Sequence, residues 1–150
     1  VATVCLADET MTGSPVRLSY HELVELARPV LDKHYARLLK GVKERFEERA
    51  GQNRVATDIA DVARAATYGM VSLALVDFEQ VTPGLIDENG EVVHTDEPGA
   101  YGVIDEIVKR SLESGAKVLS VRAEDMIGDT GVAGVLRYPL EPAPRGRRVQ

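Results

Sequence analysis

The sequence predicts an α/β sandwich built around a small mixed sheet. Three observations carry that expectation. Residues 70–77, "MVSLALVD", form a nearly continuous apolar run of strand length, the pattern of a strand buried on both faces. Residues 57–69 and 96–115 each run from a capping residue to a glycine with an apolar helical face between. From Thr57 onward the order reads helix, strand, hairpin, helix, strand, loop, strand, an alternation that lays helices on a sheet.

Residues 1–16 read as a strand or linker remnant: a short apolar start, "VATVCLA", then the polar "DETMTGSP". A helical extension follows over 17–51. Ser19 with Glu22 three residues on makes a capping box, and Leu18 and Leu23 flank it as a hydrophobic staple. Apolar residues then recur at helical spacing from Leu23 to Phe46. Pro29 sits inside this run, where it removes a hydrogen bond and crowds the preceding turn. A kink or break is expected there, with a second piece from Pro29 to Arg49 stopping near Gly51.

In "TDIADVARAATYG", Thr57 suits the N-cap, Asp58 and Asp61 suit the positive helix start, and Gly69 suits the position after the C-cap. The Ala-rich face predicts close packing on the sheet. Asn89-Gly90 between β-prone residues signals a hairpin turn, expected to protrude as a mobile ribbon. Asp96 as cap, Pro98 in the first turn and Gly115 as stop delimit the next helix. Residues 117–122 form another strand and 131–140 contain the last one. The tail 141–150 is Pro- and Arg-rich and reads as disordered.

Composition narrows the function. Hydrophobic residues make up 44% of 150, enough for one real core, and Trp is absent. The net charge of −6 disfavours non-specific binding to polyphosphates. Cys5 is the single cysteine, so neither an internal disulfide nor a Cys-based zinc site can be built, which favours a reducing, cytoplasmic setting. No apolar run approaches the ~20 residues a membrane helix needs. The start on Val1 reads as a processed product or a fragment.

Candidate chemistry is thin. Asp77 and Glu79 follow a strand, and Asp87, Glu88, Asp96 and Glu97 surround the hairpin. A small hydrolase on this Asp77–Asp96 rim is one alternative; a solvated acidic edge is the plainer one. His21, His34 and His94 have no metal-ligand spacing. Cys5 has no neighbouring His. "GDTGVAG", 128–134, leads into a strand and lacks a phosphate-loop Lys. "AGQ", 50–52, reads as a helix terminator. No cofactor, metal or catalytic residue is expected, and the chain reads as non-enzymatic. Lys33, Arg37 and Lys40 share one helical face, with Lys43 nearby. They could contact RNA or a protein partner, so an RNA-binding module on helix 33–43 is the second alternative. Asp32, Glu44, Glu47 and Glu48 supply balancing charge along the same helix.

Three stretches together resemble a known family. "ATDIADVARAATYGMVSLALVD" (56–77) resembles the helix–Gly–strand unit opening the third domain of archaeo-eukaryotic release factors and Pelota. "VIDEIVKRSLESGAKVLSV" (103–121) resembles the helix and strand that follow, and "GVAGVLRYPL" (131–140) the closing turn and strand. The bacterial branch of this release-factor-like family is the nearest match, because there a helical stretch like 18–50 leads straight into the domain. Residues 52–140 would then be the third-domain-like unit.

The resemblance implies a three-layer α/β/α sandwich, shared with kink-turn-binding ribosomal proteins. It implies structural roles for Gly131 and Gly134 in a close approach, for Pro139 in ending the ladder, and for Gly69 at its helix end. Arg137 would reach a carboxylate or a helix C-terminus, an ion pair being the first expectation. It also implies a protein-binding module, docking a translation GTPase or the ribosome in termination or ribosome rescue. One departure stands out. Kink-turn binders carry Gly-x-Asn-Glu at the helix start, where this chain has Asp58, Ile59, Ala60 and Asp61. Carboxylates there repel an RNA backbone, so kink-turn binding is not expected.

Overall fold

The computed structural model of the chain describes residues 15–95 and 102–141. In chain order the elements are α1 (Tyr20–Ala50), β1 (Val55–Ala56), α2 (Ile59–Thr67), β2 (Val71–Val76), β3 (Leu85–Ile86), β4 (Val92–Val93), α3 (Val103–Glu113), β5 (Lys117–Ser120) and β6 (Val132–Leu136), with single 3-10 turns at Pro15–Arg17 and Ala123–Asp125. The chain divides into two compact units, the first ending at Glu44 and the second beginning at Arg45.

The first unit is dominated by α1. Its start is the capping box: the Ser19 amide donates to Glu22 Oε2 at 2.8 Å, and the Glu22 amide donates back to Ser19 Oγ at 3.3 Å. Bonding from the Ser19 amide, then from its hydroxyl, holds the Glu22 carboxyl below its ordinary pKa. Pro29 does not break the helix, which runs through it for 31 residues. The local cost of one internal proline, about 3 kcal/mol, falls on one turn. The turns on either side keep their ladders, and the apolar spacing continues across it.

In the second unit, four strands form a mixed sheet in the order β1-β6-β2-β5. β6 is antiparallel to both β1 and β2, pairing Gly134 with Ala56 and with Ala74. β2 and β5 are parallel, from Leu73 beside Lys117 to Val76 beside Ser120. A parallel pair needs a long crossover. The chain between them supplies the β3–β4 ribbon and α3.

One sheet face packs on α2 and α3. Ala74, Val76, Val132 and Leu136 meet Val62, Ala63 and Ala66 of α2 and Val103, Ile104 and Ile107 of α3. Small residues on α2 let the helix sit close, as its Ala-rich sequence predicts. Leu73, Leu75, Ala133 and Val135 alternate with these in the pleat and are buried as well, so both faces of the central strands are withdrawn from water. Each fully buried Val or Leu contributes about 1.5–3 kcal/mol. That makes the central pair β2–β6 the stable heart of the unit.

Three local expectations need correction. The N-cap of α2 is Asp58, not Thr57: Asp58 Oδ1 accepts from the amides of Ala60 at 2.9 Å and Asp61 at 3.4 Å. The N-cap of α3 is Gly102, with no side-chain cap; Asp96 and Pro98 lie outside the described residues. The β3–β4 ribbon does not protrude. Arg110 of α3 donates to the carbonyls of Ile86 and Asp87, each at 2.9 Å, and to Thr67 Oγ1 at 2.8 Å. Its Nε meets Glu106 Oε1 at 2.8 Å. Gly90 is buried with φ +83°, and a Cβ there would sit 2.7 Å from Arg64 Cα. The ribbon is therefore fastened to both helices.

A candidate docking surface

The chain places its two helix C-termini side by side. α2 ends with Tyr68 as C-cap and Gly69 at φ +66°. The Gly69 amide donates to Ala66 O and the Met70 amide to Ala65 O, a double closure that needs the left-handed conformation glycine provides. α3 ends the same way at Gly115, whose amide donates to Leu112 O while Ala116 donates to Ser111 O. The two ends touch: a Cβ on Gly69 would lie 3.5 Å from Ser114 Cβ.

The end of β6 joins them. The Arg137 amide donates to Met70 O at 2.7 Å, and Arg137 Nη2 donates to Ser114 O at 3.0 Å. Arg137 thus meets a helix C-terminus rather than a carboxylate, and its charge complements the negative end of the α3 dipole. β6 closes at Leu136, before Pro139. The segment beyond is stitched to the α1–β1 connection: Asn53 Nδ2 donates to Leu140 O at 3.2 Å and the Leu140 amide to Asn53 O at 3.3 Å. Around Arg137, three large apolar side chains face solvent: Tyr68 at 62% exposure, Leu112 at 55% and Tyr138 at 62%. Tyr68 precedes Gly69, Leu112 lies two residues before Ser114 and Tyr138 follows Arg137, so all three stand at this junction of backbone. A surface of exposed aromatics around an arginine has the composition of protein interface cores.

The other sequence-derived residues fall elsewhere. Gly131 lies at the opposite end of the sheet, with φ +73° and the Gln80 side chain 2.6 Å from where a Cβ would stand. Gly134 sits mid-sheet, where a Cβ would meet Val62 Cγ1 at an ordinary 3.7 Å. Of these two glycines, only Gly131 is closely approached. Lys33, Arg37 and Lys40 are exposed on the α1 segment of the first unit. Lys40 pairs with Glu44 at 3.9 Å, and Lys33 and Arg37 have interactions of their own.

The carboxylates of the acidic edge are occupied locally. Asp77, 7% exposed, accepts from the Glu79 amide at 3.0 Å. Asp87 accepts from the amides of Asn89 and Glu91, each at 2.8 Å. Among the described residues no group of His, Cys, Asp and Glu could hold a metal ion, and no helix is long and apolar enough to cross a membrane. Sequence reasoning missed Arg110, the clamp on the ribbon. The one available signal was Glu106 four residues before it.

Comparison with known proteins bears on this architecture. Residues 2–70, a little under half of the chain, match the family model described as bacterial archaeo-eukaryotic release factor family 3. The C-terminal domain of a peptide chain release factor from Methanosarcina mazei superposes with a TM-score of 0.53 at 18% identity, over 83% of this chain and 99% of that one. The fold is that of a release-factor C-terminal domain. Saccharomyces cerevisiae Dom34, a translation termination-like factor interacting with Hbs1, superposes with a TM-score of 0.53 at 19% identity over 83% of this chain. The chain spans about a third of Dom34, covering 34% of its length. No curated protein sequence matches the chain. The family match takes in α1 and α2 and stops at the start of β2. The likeness of fold to the solved structures reaches across the sheet as well.

Proposed function

We propose that this chain is a non-catalytic interaction domain of a release-factor-like protein, docking a protein partner in translation termination or ribosome rescue. The observation that carries the reading is the exposed Tyr68–Leu112–Tyr138 cluster around Arg137, held on two closed helix ends and the last strand. The fold this chain shares with a release-factor C-terminal domain and with Dom34, which interacts with Hbs1, points to a translation GTPase or the ribosome as the class of partner. On this reading residues 17–51 are a helical extension and 52–140 the docking domain, acting in the cytoplasm.

Capture of the full chain from lysate, with Tyr138→Asp as control, tests it. The expected outcome is ribosomal proteins or a translation GTPase with the native chain and their loss with the variant, at unchanged melting temperature. Retention of the same proteins by Tyr138→Asp would place docking elsewhere. A titration at physiological salt with a kink-turn RNA and a scrambled duplex tests the RNA alternative. Weak, salt-sensitive and undiscriminating binding is expected, because Asp58 and Asp61 stand where phosphates would approach. Submicromolar affinity with discrimination would replace the protein-docking reading with an RNA-binding one.

A further inference from the structure

The arginines around this platform differ from the other arginines whose pairing the structure shows. Arg28 pairs with Glu25, Arg64 with Asp61 and Glu91, and Arg110 with Glu106. Arg49, Arg54 and Arg137 have no carboxylate within ion-pair distance among the described residues. Arg49 Nη1 donates to Gln52 Oε1 at 3.3 Å, and Arg54 Nη1 donates to the same oxygen at 3.4 Å. Arg54 Nη2 donates to the Arg137 carbonyl, and Arg137 Nη2 to the Ser114 carbonyl. Arg54 Nε is buried with no acceptor at all. One neutral amide and two carbonyls therefore answer three guanidinium charges, in a chain whose net charge is −6. All three lie in the second unit. Arg49 and Arg54 share Gln52 Oε1, and Arg54 reaches the backbone of Arg137, because the Asn53–Leu140 stitch and the Leu136–Arg54 backbone bond bring the α1–β1 connection against the end of β6.

We propose that Arg49, Arg54 and Arg137, with Tyr138 beside them, form a receptor for a short acidic and apolar segment of a protein partner, its carboxylates taken by the guanidiniums and its apolar side chains by Tyr138, Tyr68 and Leu112. The proposal rests on the docking reading above and adds the chemistry of the partner. A forked guanidinium takes a carboxylate in two parallel hydrogen bonds. A guanidinium partly withdrawn from water gains more from an arriving anion than one already paired. The apolar rim favours a peptide over a nucleic acid. The overall negative charge disfavours a polyphosphate more strongly than a segment with two or three carboxylates.

Fluorescence anisotropy on the full chain tests this with three labelled synthetic peptides that alternate Leu with Glu, Gln or Lys, and a short single-stranded RNA. The Leu-Glu peptide should bind. Its affinity should fall about tenfold or more in Arg49→Gln/Arg137→Gln, fall again with added salt, and weaken in Tyr138→Ala. Far-UV circular dichroism and melting temperature should stay unchanged in each variant. The Leu-Gln or Leu-Lys peptide binding as tightly, no peptide binding, the RNA binding more tightly, or indifference to the double variant would overturn the proposal. The pattern of failure is informative. A Leu-Gln peptide released by Tyr138→Ala but not by the arginine variant keeps the docking platform and removes the acidic partner. Binding insensitive to Tyr138→Ala removes both.

Discussion

The two ends of the sheet both expose large apolar side chains but answer their charges differently. At one end the C-termini of α2 and α3 meet Arg137, with Tyr68 and Tyr138 each 62% exposed. At the other, Asp58 caps α2, Asp105 and Glu106 begin α3, Asp77 follows β2, and Phe78 is 53% exposed. The difference lies in how each charge is answered. Asp58 and Asp77 are held by backbone amides, the arrangement that stabilises carboxylates at helix starts and turns. Arg137 and Arg54 are answered by carbonyls and an amide oxygen. Exposed apolar area alone therefore does not mark a docking surface. At the acidic end Asp58 and Asp77 are held by their own backbone amides and Glu106 by Arg110, whereas the arginine end keeps donor capacity for something else.

Substitutions at the two ends should separate folding from docking. The largest effect is expected from Gly69→Val. At φ +66° a β-branched residue is strained, and the loss should be about 1–3 kcal/mol. An unchanged urea midpoint would mean that the α2–β2 corner is not held by this closure. Next comes Asp58→Ala at the acidic end. Removing an N-cap costs about 1 kcal/mol, so chemical denaturation should show that loss while partner capture persists. Partner loss at unchanged fold would contradict the division of labour. Arg137→Gln should reverse the pattern. A surface charge at a helix C-terminus contributes about 0.3–1 kcal/mol, so thermal melts should barely move while docking weakens.

How far these ends could be read from the sequence depends on how local each feature is. The capping box at Ser19, the glycine closures at 69 and 115 and the buried strand at 71–76 use residues a few positions apart, and each shows in the chain as a pattern. Thr57 was a plausible cap, but Asp58 one residue on has the stronger acceptor. Pro29 reads as a break on its local cost alone, which the turns on either side outweigh. The ribbon looked mobile because its charges read as solvent-facing. What fastens it is Arg110, which reaches carbonyls 23 and 24 residues away that carry no side-chain signal. The arginine cluster was hidden for the same reason: Arg54 and Arg137 are 83 residues apart.

The smallest expected effect lies outside both ends and calibrates them. Ser19 holds the Glu22 carboxyl below its ordinary pKa, so its contribution is present above the unfolded value and is lost as pH falls through the lowered folded one. The first turn of α1 should fray in acid and be intact at neutral pH, seen as a loss of protection at the Ser19 and Glu22 amides.

The most direct test of the central claim is a matched pair of photo-crosslinkers. A benzophenone amino acid replaces Tyr138 in one full chain and Phe78 in another, side chains of comparable exposure at opposite ends. Each chain is irradiated in living cells. The account predicts a discrete protein adduct from position 138, abolished by Arg49→Gln/Arg137→Gln, and none from position 78. A protein adduct from position 78 alone, or an RNA adduct from position 138, would contradict it.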